Sequence, residues 1–106
     1  MTSPVDLGAV RGLDLRSLLV LLLVDAGQPL TVSELDAAVR SSGFELAGRP
    51  GKAVADALRW EVRRGRVRKL ERTLYAAGAV AKVTKHRMRR RVAETRNRRT
   101  LGEESG

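Results

Sequence analysis

Hydrophobic and polar positions alternate along the chain with a changing period, and each change marks an element. Residues 13–26 (Leu-Asp-Leu-Arg-Ser-Leu-Leu-Val-Leu-Leu-Leu-Val-Asp-Ala) are long enough for a helix and stop at Gly27, a residue suited to a helix C-terminus. Asp14 near the start suits the helix dipole. The second half, residues 18–24, is apolar on every face, as in a helix that is central to a core or shared with a partner. Gln28-Pro29-Leu30 cannot continue the helix and predicts a brief extended strand. Thr31-Val-Ser-Glu34 then has the form of a capping box, with Glu34 reaching back to the Thr31 amide. The helix it opens, about 32–41, buries Leu35, Ala38 and Val39, exposes Asp36 and Arg40, and ends at Ser42-Gly43.

Residues 44–51 form a connector broken by Gly48, Pro50 and Gly51, with Phe44 and Leu46 tucked beneath it into the core. A third helix starts at Pro50 or Gly51, runs to about Arg64 and stops at Gly65. At about 100° per residue, Lys52, Asp56, Arg59 and Arg63 share one stripe of it, while Val54, Leu58 and Val62 lie roughly opposite. Residues 66–70 and 73–77 read as a hairpin, with Val67 and Lys69 on one face and Arg66, Arg68 and Leu70 on the other. Its tip, Glu71-Arg72, lacks the glycine that a two-residue turn prefers, which predicts a short or register-shifted hairpin. Gly78 closes this unit. From Ala79 to Arg99 the residues are mostly helix formers. Their apolar stripe is narrow (Thr84, Met88, Val92, Thr95), so the segment is a helix docked by one edge or an arm that orders on a partner. The domain plan is thus a leader over 1–12, a domain over 13–78, a basic helix or arm over 79–99 and a disordered tail over 100–106.

Charge changes the picture more than composition does. The net charge of +9 points to a polyanionic partner, nucleic acid or an anionic membrane surface. Residues 1–78 hold 12 Lys and Arg against 9 Asp and Glu, whereas residues 79–106 hold 9 against 3, so the C-terminal segment is the more basic. The only aromatics are Phe44, Trp60 and Tyr75, which leaves a core built from Leu, Val and Ala. Absence of cysteine excludes disulfides and thiolate metal sites, and the single histidine, His86, makes no metal site. The seven apolar residues of 18–24 fall far short of the roughly 20 that a membrane span needs. With no secretion signal at the start, the chain reads as cytoplasmic and membrane-free.

The order helix, strand, capped helix, connector, basic helix and basic hairpin resembles the winged helix-turn-helix superfamily of DNA-binding proteins, in its small bacterial type. The resemblance covers about 13–78 and is carried by Asp25-Ala-Gly-Gln-Pro-Leu-Thr-Val-Ser-Glu-Leu35, by the third helix, and by Gly65-Arg-Val-Arg-Lys-Leu70 with Leu74-Tyr-Ala-Ala-Gly78. The connector departs from the three- or four-residue turn of a strict helix-turn-helix. The resemblance implies a mainly α fold with a small β-hairpin, three helices and a wing, extended here by the basic C-terminal segment. It implies binding of double-stranded DNA, as a transcriptional regulator or nucleoid-associated protein.

On that expectation, Arg59 and Arg63 reach base edges in the major groove, where guanine accepts a bidentate guanidinium. Lys52, near the helix start, suits a phosphate, and Arg64 belongs to the same DNA-binding set. Asp56 either restrains Lys52 and Arg59 by pairing one turn away or accepts from a cytosine amino group; restraint is favoured. Arg66, Arg68, Lys69 and Arg72 on the wing face phosphates, with Arg72 at the tip suited to a minor groove. Trp60 packs against the hairpin or the C-terminal helix, and Tyr75 belongs to the core. Lys82, Lys85, Arg87, Arg89, Arg90 and Arg91, followed by Arg96, Arg98 and Arg99, clamp phosphates and supply affinity rather than sequence choice. Two other readings share these features: an RNA- or ribosome-associated protein, and a protein-interaction module such as an antitoxin docking through 18–24. A homodimer through helix 13–26 or the C-terminal helix is compatible with each. Catalysis is not expected, because no nucleophile–base pair occurs and Gly48-Arg-Pro-Gly-Lys52 lacks the spacing of a phosphate loop; no cofactor is implied.

Overall fold

The apolar block near the N-terminus forms helix α1 (Gly12–Ala26), around which the remaining elements are arranged. Leu15, Leu18, Leu19, Val20, Leu21 and Leu23 are buried and Leu22 and Val24 are half-buried, because three further helices and a small sheet surround it. Gly27 ends it in the left-handed region (φ 67°), donating its N–H to the Leu23 carbonyl. The structure, a computed structural model, describes residues 9–49 and 51–105, those from 99 onward by backbone alone. Most of the expected leader, Pro50 as a start of the third helix, and Gly106 lie outside the described residues.

The element order is α1, β1 (Leu30–Thr31), α2 (Val32–Ser41), α3 (Lys52–Arg63), β2 (Val67–Glu71), β3 (Leu74–Ala77) and α4 (Lys82–Ser105). The protein is therefore mainly helical with one small antiparallel sheet of order β1-β3-β2. The brief strand expected over Gln28-Pro29-Leu30 forms at Leu30–Thr31 instead and is the third member of that sheet, pairing Leu30 with Tyr75 and Thr31 with Leu74. Both halves of the capping box form: Thr31 Oγ1 accepts the Glu34 N–H at 3.1 Å, and Glu34 Oε1 accepts the Thr31 N–H at 2.8 Å. Such a reciprocal cap satisfies two donors that the helix start would otherwise leave open.

Asp36 departs from its expected exposed position. It is half-buried, accepting from Arg40 Nε at 2.8 Å and from the backbone N–H of Gly51 at 3.0 Å. The second bond ties α2 to the first residue before α3, across the long connector. The Arg40 hydrogen bond and the Gly51 N–H outweigh the effect of burial and hold the Asp36 carboxyl below the usual aspartate range.

The hairpin is register-shifted, as its tip predicts, but the turn sits one residue later than expected. Glu71 still belongs to β2, and the pairing skips from Lys69–Tyr75 to Glu71–Leu74, leaving Leu70 as an extra residue in the strand. Val67 is the only buried residue of β2; Lys69 lies on the same side of the strand, opposite Tyr75, but stays exposed. The passage from α3 into the hairpin needs two glycines. Gly65 has φ 76°, and a Cβ on Gly78 would collide with the Gly65 carbonyl oxygen.

The basic segment is a docked helix. Met88 is buried, and Thr84, Val92 and Thr95 are half-buried along the edge that α4 lays against α1. Arg89 meets Asp25 at 3.1 Å and Arg98 meets Asp14 at 3.6 Å, reinforcing that edge from both sides of the seam. The helix continues through 100–105, where a disordered tail is expected from sequence. Because α4 covers α1, the spare apolar face expected to serve a homodimer is occupied by the chain itself. Among the described residues of α1, only Leu13 remains a large exposed hydrophobic. No described helix is long and apolar enough to cross a membrane.

Candidate nucleic-acid interface

Helix α3 has two faces of opposite character. The inner face places Val54, Ala57, Leu58 and Glu61 in the core. The outer face carries Lys52, Asp56, Arg59, Trp60 and Arg63, all exposed except the half-buried Asp56. Lys52 Nζ is 2.9 Å from Asp56 Oδ2, and Arg59 is 3.9 Å from Oδ1 of the same carboxylate. The favoured restraint of both cations by Asp56 is thus the geometry found. The Lys52 hydrogen bond leads in holding the Asp56 carboxyl below its ordinary range, with Arg59 adding charge attraction.

Trp60 differs from expectation. It is 52% exposed and sits at the rim, with the Arg16 and Arg63 guanidiniums each 5.6 Å from its ring centroid. The core-facing positions are 54, 57, 58 and 61, which puts residue 60 at the edge of the buried face. A guanidinium over an indole face is attracted by the ring quadrupole, so Arg16 and Arg63 are held near the ring. Tyr75 is buried in the core, with Lys69 Nζ 5.9 Å from its ring.

Arg66 also departs from its expected role. It turns toward Glu61, donating Nε to Oε1 at 2.6 Å and Nη2 to Oε2 at 3.1 Å, while Arg16 Nε donates to Oε2 at 2.8 Å. Glu61 is fully buried, so its carboxylate is the hub of an ion triad joining α1, α3 and the start of β2. Burial pushes the Glu61 carboxyl up, but the hydrogen bonds and charge of Arg66 and Arg16 outweigh it, and the acid stays below the usual glutamate range. Sequence reasoning that pairs Val54 and Leu58 with Val62 misses this residue. The readable signal is the spacing 54, 57, 58, 61, which sets a carboxylate on the core stripe and so demands cationic partners.

Of the other expected cations, Arg68, Lys69 and Arg72 are exposed on the hairpin, and Lys82, Arg87, Arg89 and Arg90 on α4; Lys85 and Arg91 are half-buried. Arg89 is engaged by Asp25. The side chains of Arg64, Arg68, Arg72, Lys82, Lys85, Arg87, Arg90 and Arg91 have no hydrogen-bond or ion-pair partner among the described residues. Arg96 bonds the Ser42 carbonyl at 2.7 Å and lies over Phe44, which gives that cation a structural place. The α3 and α4 cations partly converge, since Arg64, Arg87 and Arg91 line one cleft with Arg16 and Arg66. His86 is exposed, and no group of acidic and His side chains among the described residues has the arrangement of a metal site. No family model, no curated protein and no solved structure matches the chain.

Proposed function

We propose that the chain binds double-stranded DNA in the manner of a winged helix-turn-helix protein, as a transcriptional regulator or nucleoid-associated protein. The observation that carries this reading is the outer face of α3. It offers Lys52, Arg59 and Arg63 to solvent between a capped helix and an antiparallel hairpin, while its inner face is anchored through Glu61. A rigid helix with an anchored back and a cationic front suits a groove, because its guanidiniums project from a fixed backbone. Arg59 and Arg63, one turn apart, are the candidates for base edges. Asp56 restrains Arg59, and Arg63 lies against Trp60, so both start partly ordered. Arg68 and Arg72 on the hairpin and Lys82, Lys85 and Arg90 on α4 serve phosphates. With Arg66 engaged by Glu61, the wing has fewer free cations than its sequence suggests, and α4 carries more of the affinity.

Electrophoretic shift of duplex DNA by the intact chain tests the reading. Arg59→Ala/Arg63→Ala is expected to weaken binding by about tenfold or more, given about 1–3 kcal/mol for a good base contact. Lys82→Gln/Lys85→Gln/Arg90→Gln should weaken all sequences alike and flatten the salt dependence, by about 0.9 in log–log slope for each phosphate no longer neutralised. Unchanged binding in the α3 variant removes α3 as the reader. Structured RNA competing better than duplex at one fixed salt concentration overturns the DNA assignment.

A further inference from the structure

Between α1, the end of α3 and the first half of α4 lies an open cleft of about 330 Å³. Arg16, Arg64, Arg66, Arg87 and Arg91 line it, no acidic side chain among the described residues does, and Leu13 and Met88 give it an apolar part. Two of its arginines are oriented by the buried Glu61. Arg16 hydrogen-bonds that carboxylate through Nε alone; its guanidinium also lies beside Trp60, and its terminal amino groups make no hydrogen bond among the described residues. The other three, Arg64, Arg87 and Arg91, have no partner among the described residues. One carboxylate cannot balance five guanidiniums, so the cleft holds a surplus of positive charge. A second observation points the same way. Ser17 lines the cleft at 1% exposure, and its hydroxyl has no hydrogen-bond partner among the described residues. Buried hydroxyls are ordinarily satisfied, so this one is open to an acceptor oxygen.

We propose that this cleft binds a compact, multiply charged phosphoryl anion, such as the diphosphate of a nucleotide or other metabolite. Guanidiniums favour phosphoryl oxygens because their planar donor forks match them two at a time. Three unpaired forks and two oriented ones around one volume suit a concentrated charge. They suit less well the single charge per phosphate of a nucleic-acid backbone, which passes a surface as a line. Ser17 from α1 and Thr84 from α4 add hydroxyls to the lining. The site does not depend on the duplex-binding reading and stands or falls separately from it.

Titration calorimetry of the intact protein with pyrophosphate tests this, with ionic strength held constant by NaCl and sulfate as a control. One saturable site is expected, binding pyrophosphate more tightly than sulfate. Arg87→Gln/Arg91→Gln and, on a different helix, Arg64→Gln should each weaken it by about tenfold or more, as expected for loss of charge-assisted hydrogen bonds. Arg11→Gln/Arg49→Gln removes as much charge as the α4 pair at exposed positions outside the cleft and should leave the affinity within about twofold, as for screened surface charges. Adenosine diphosphate titrated alongside distinguishes the sources: equal affinity assigns the free diphosphate, tighter binding a nucleotide, and either upholds the site. Absence of saturable binding overturns the proposal. So does equal weakening by the Arg11/Arg49 control, which would mean general charge attraction. If pyrophosphate fails while Arg87→Gln/Arg91→Gln still weakens duplex binding, the cleft is a backbone contact and the proposal is overturned with the duplex reading intact.

Discussion

Helix α3 carries two carboxylates five residues apart, each between two cations, and they occupy opposite physical regimes. Asp56 faces water with Lys52 and Arg59, whose side chains are 66% and 69% exposed. Glu61 faces the core with Arg16 and Arg66, which retain 17% and 21% exposure while Glu61 has none. The sets look alike in sequence, since each has a cation within five residues of the acid. In water the outer set is screened and competes with hydration, so it holds its cations loosely in place and contributes little to stability. Around the buried Glu61 carboxylate water competes far less, and removing one member leaves the others poorly compensated. One helix is therefore fastened by charge on its back and left adjustable by charge on its front.

The largest expected effect comes from breaking the inner set. Glu61→Gln keeps the side-chain volume but removes the charge that satisfies Arg16 and Arg66. Loss of one partner from a buried ion pair costs about 3–5 kcal/mol. Both arginines retain some exposure and can turn toward water, which places the cost at the lower end, about 3 kcal/mol. For a chain of this size that is a fall of roughly 10–15 °C in the unfolding midpoint, measurable by circular dichroism at neutral pH. A midpoint unchanged by the substitution would dissolve the contrast between the two faces.

Acid should reach the same set without mutation. The Glu61 carboxyl is held below its ordinary range in the folded protein, so its contribution is fully present above the unfolded value, about 4.3. That contribution is lost as pH falls through the lower folded value. Asp36, also lowered, acts in the same direction through its tie between α2 and Gly51. The midpoint of the native chain should fall on going from about pH 5 to pH 3, and the gap between it and Glu61→Gln should close over that interval. A gap that stays constant would mean that Glu61 is not charged in the folded protein.

This contrast also explains what can be read from the sequence. The capping box at Thr31–Glu34, the end of α1 at Gly27 and the hairpin after Gly65 are legible because each depends on residues within a few positions of one another. The narrow stripe through Met88 predicts an edge-docked helix, but not its seat. Only the fold brings Asp25 to Arg89 and Asp14 to Arg98. The same holds for the candidate site. The exposed stripe of Lys52, Arg59 and Arg63 follows from helical spacing alone. The pairing of Arg66 with Glu61, and of Glu61 with Arg16 45 residues away, does not, because it rests on the inner helix face and a contact distant in sequence. Trp60 departs from its expected place for the same reason, since its neighbour Arg16 comes from α1.

The smallest expected effect, and the sharpest test of the outer set, is Asp56→Asn. The carboxylate is about half exposed and its two cations are already in water, so the thermal midpoint should stay close to that of the native chain. The amide can still hydrogen-bond Lys52 or Arg59, but the negative charge on the outer face of α3 is gone. If that face meets DNA, the variant should bind duplex modestly more tightly than the native chain at low salt, and the difference should shrink as salt rises. The stability and binding measurements then move independently, as they must if the front of α3 is adjustable and its back fixed. A midpoint that drops as far as in Glu61→Gln would show that both sets fasten the helix. Unchanged duplex affinity, with the midpoint preserved, would mean that Lys52 and Arg59 do not face the nucleic acid, and would shift the contact toward the hairpin and α4.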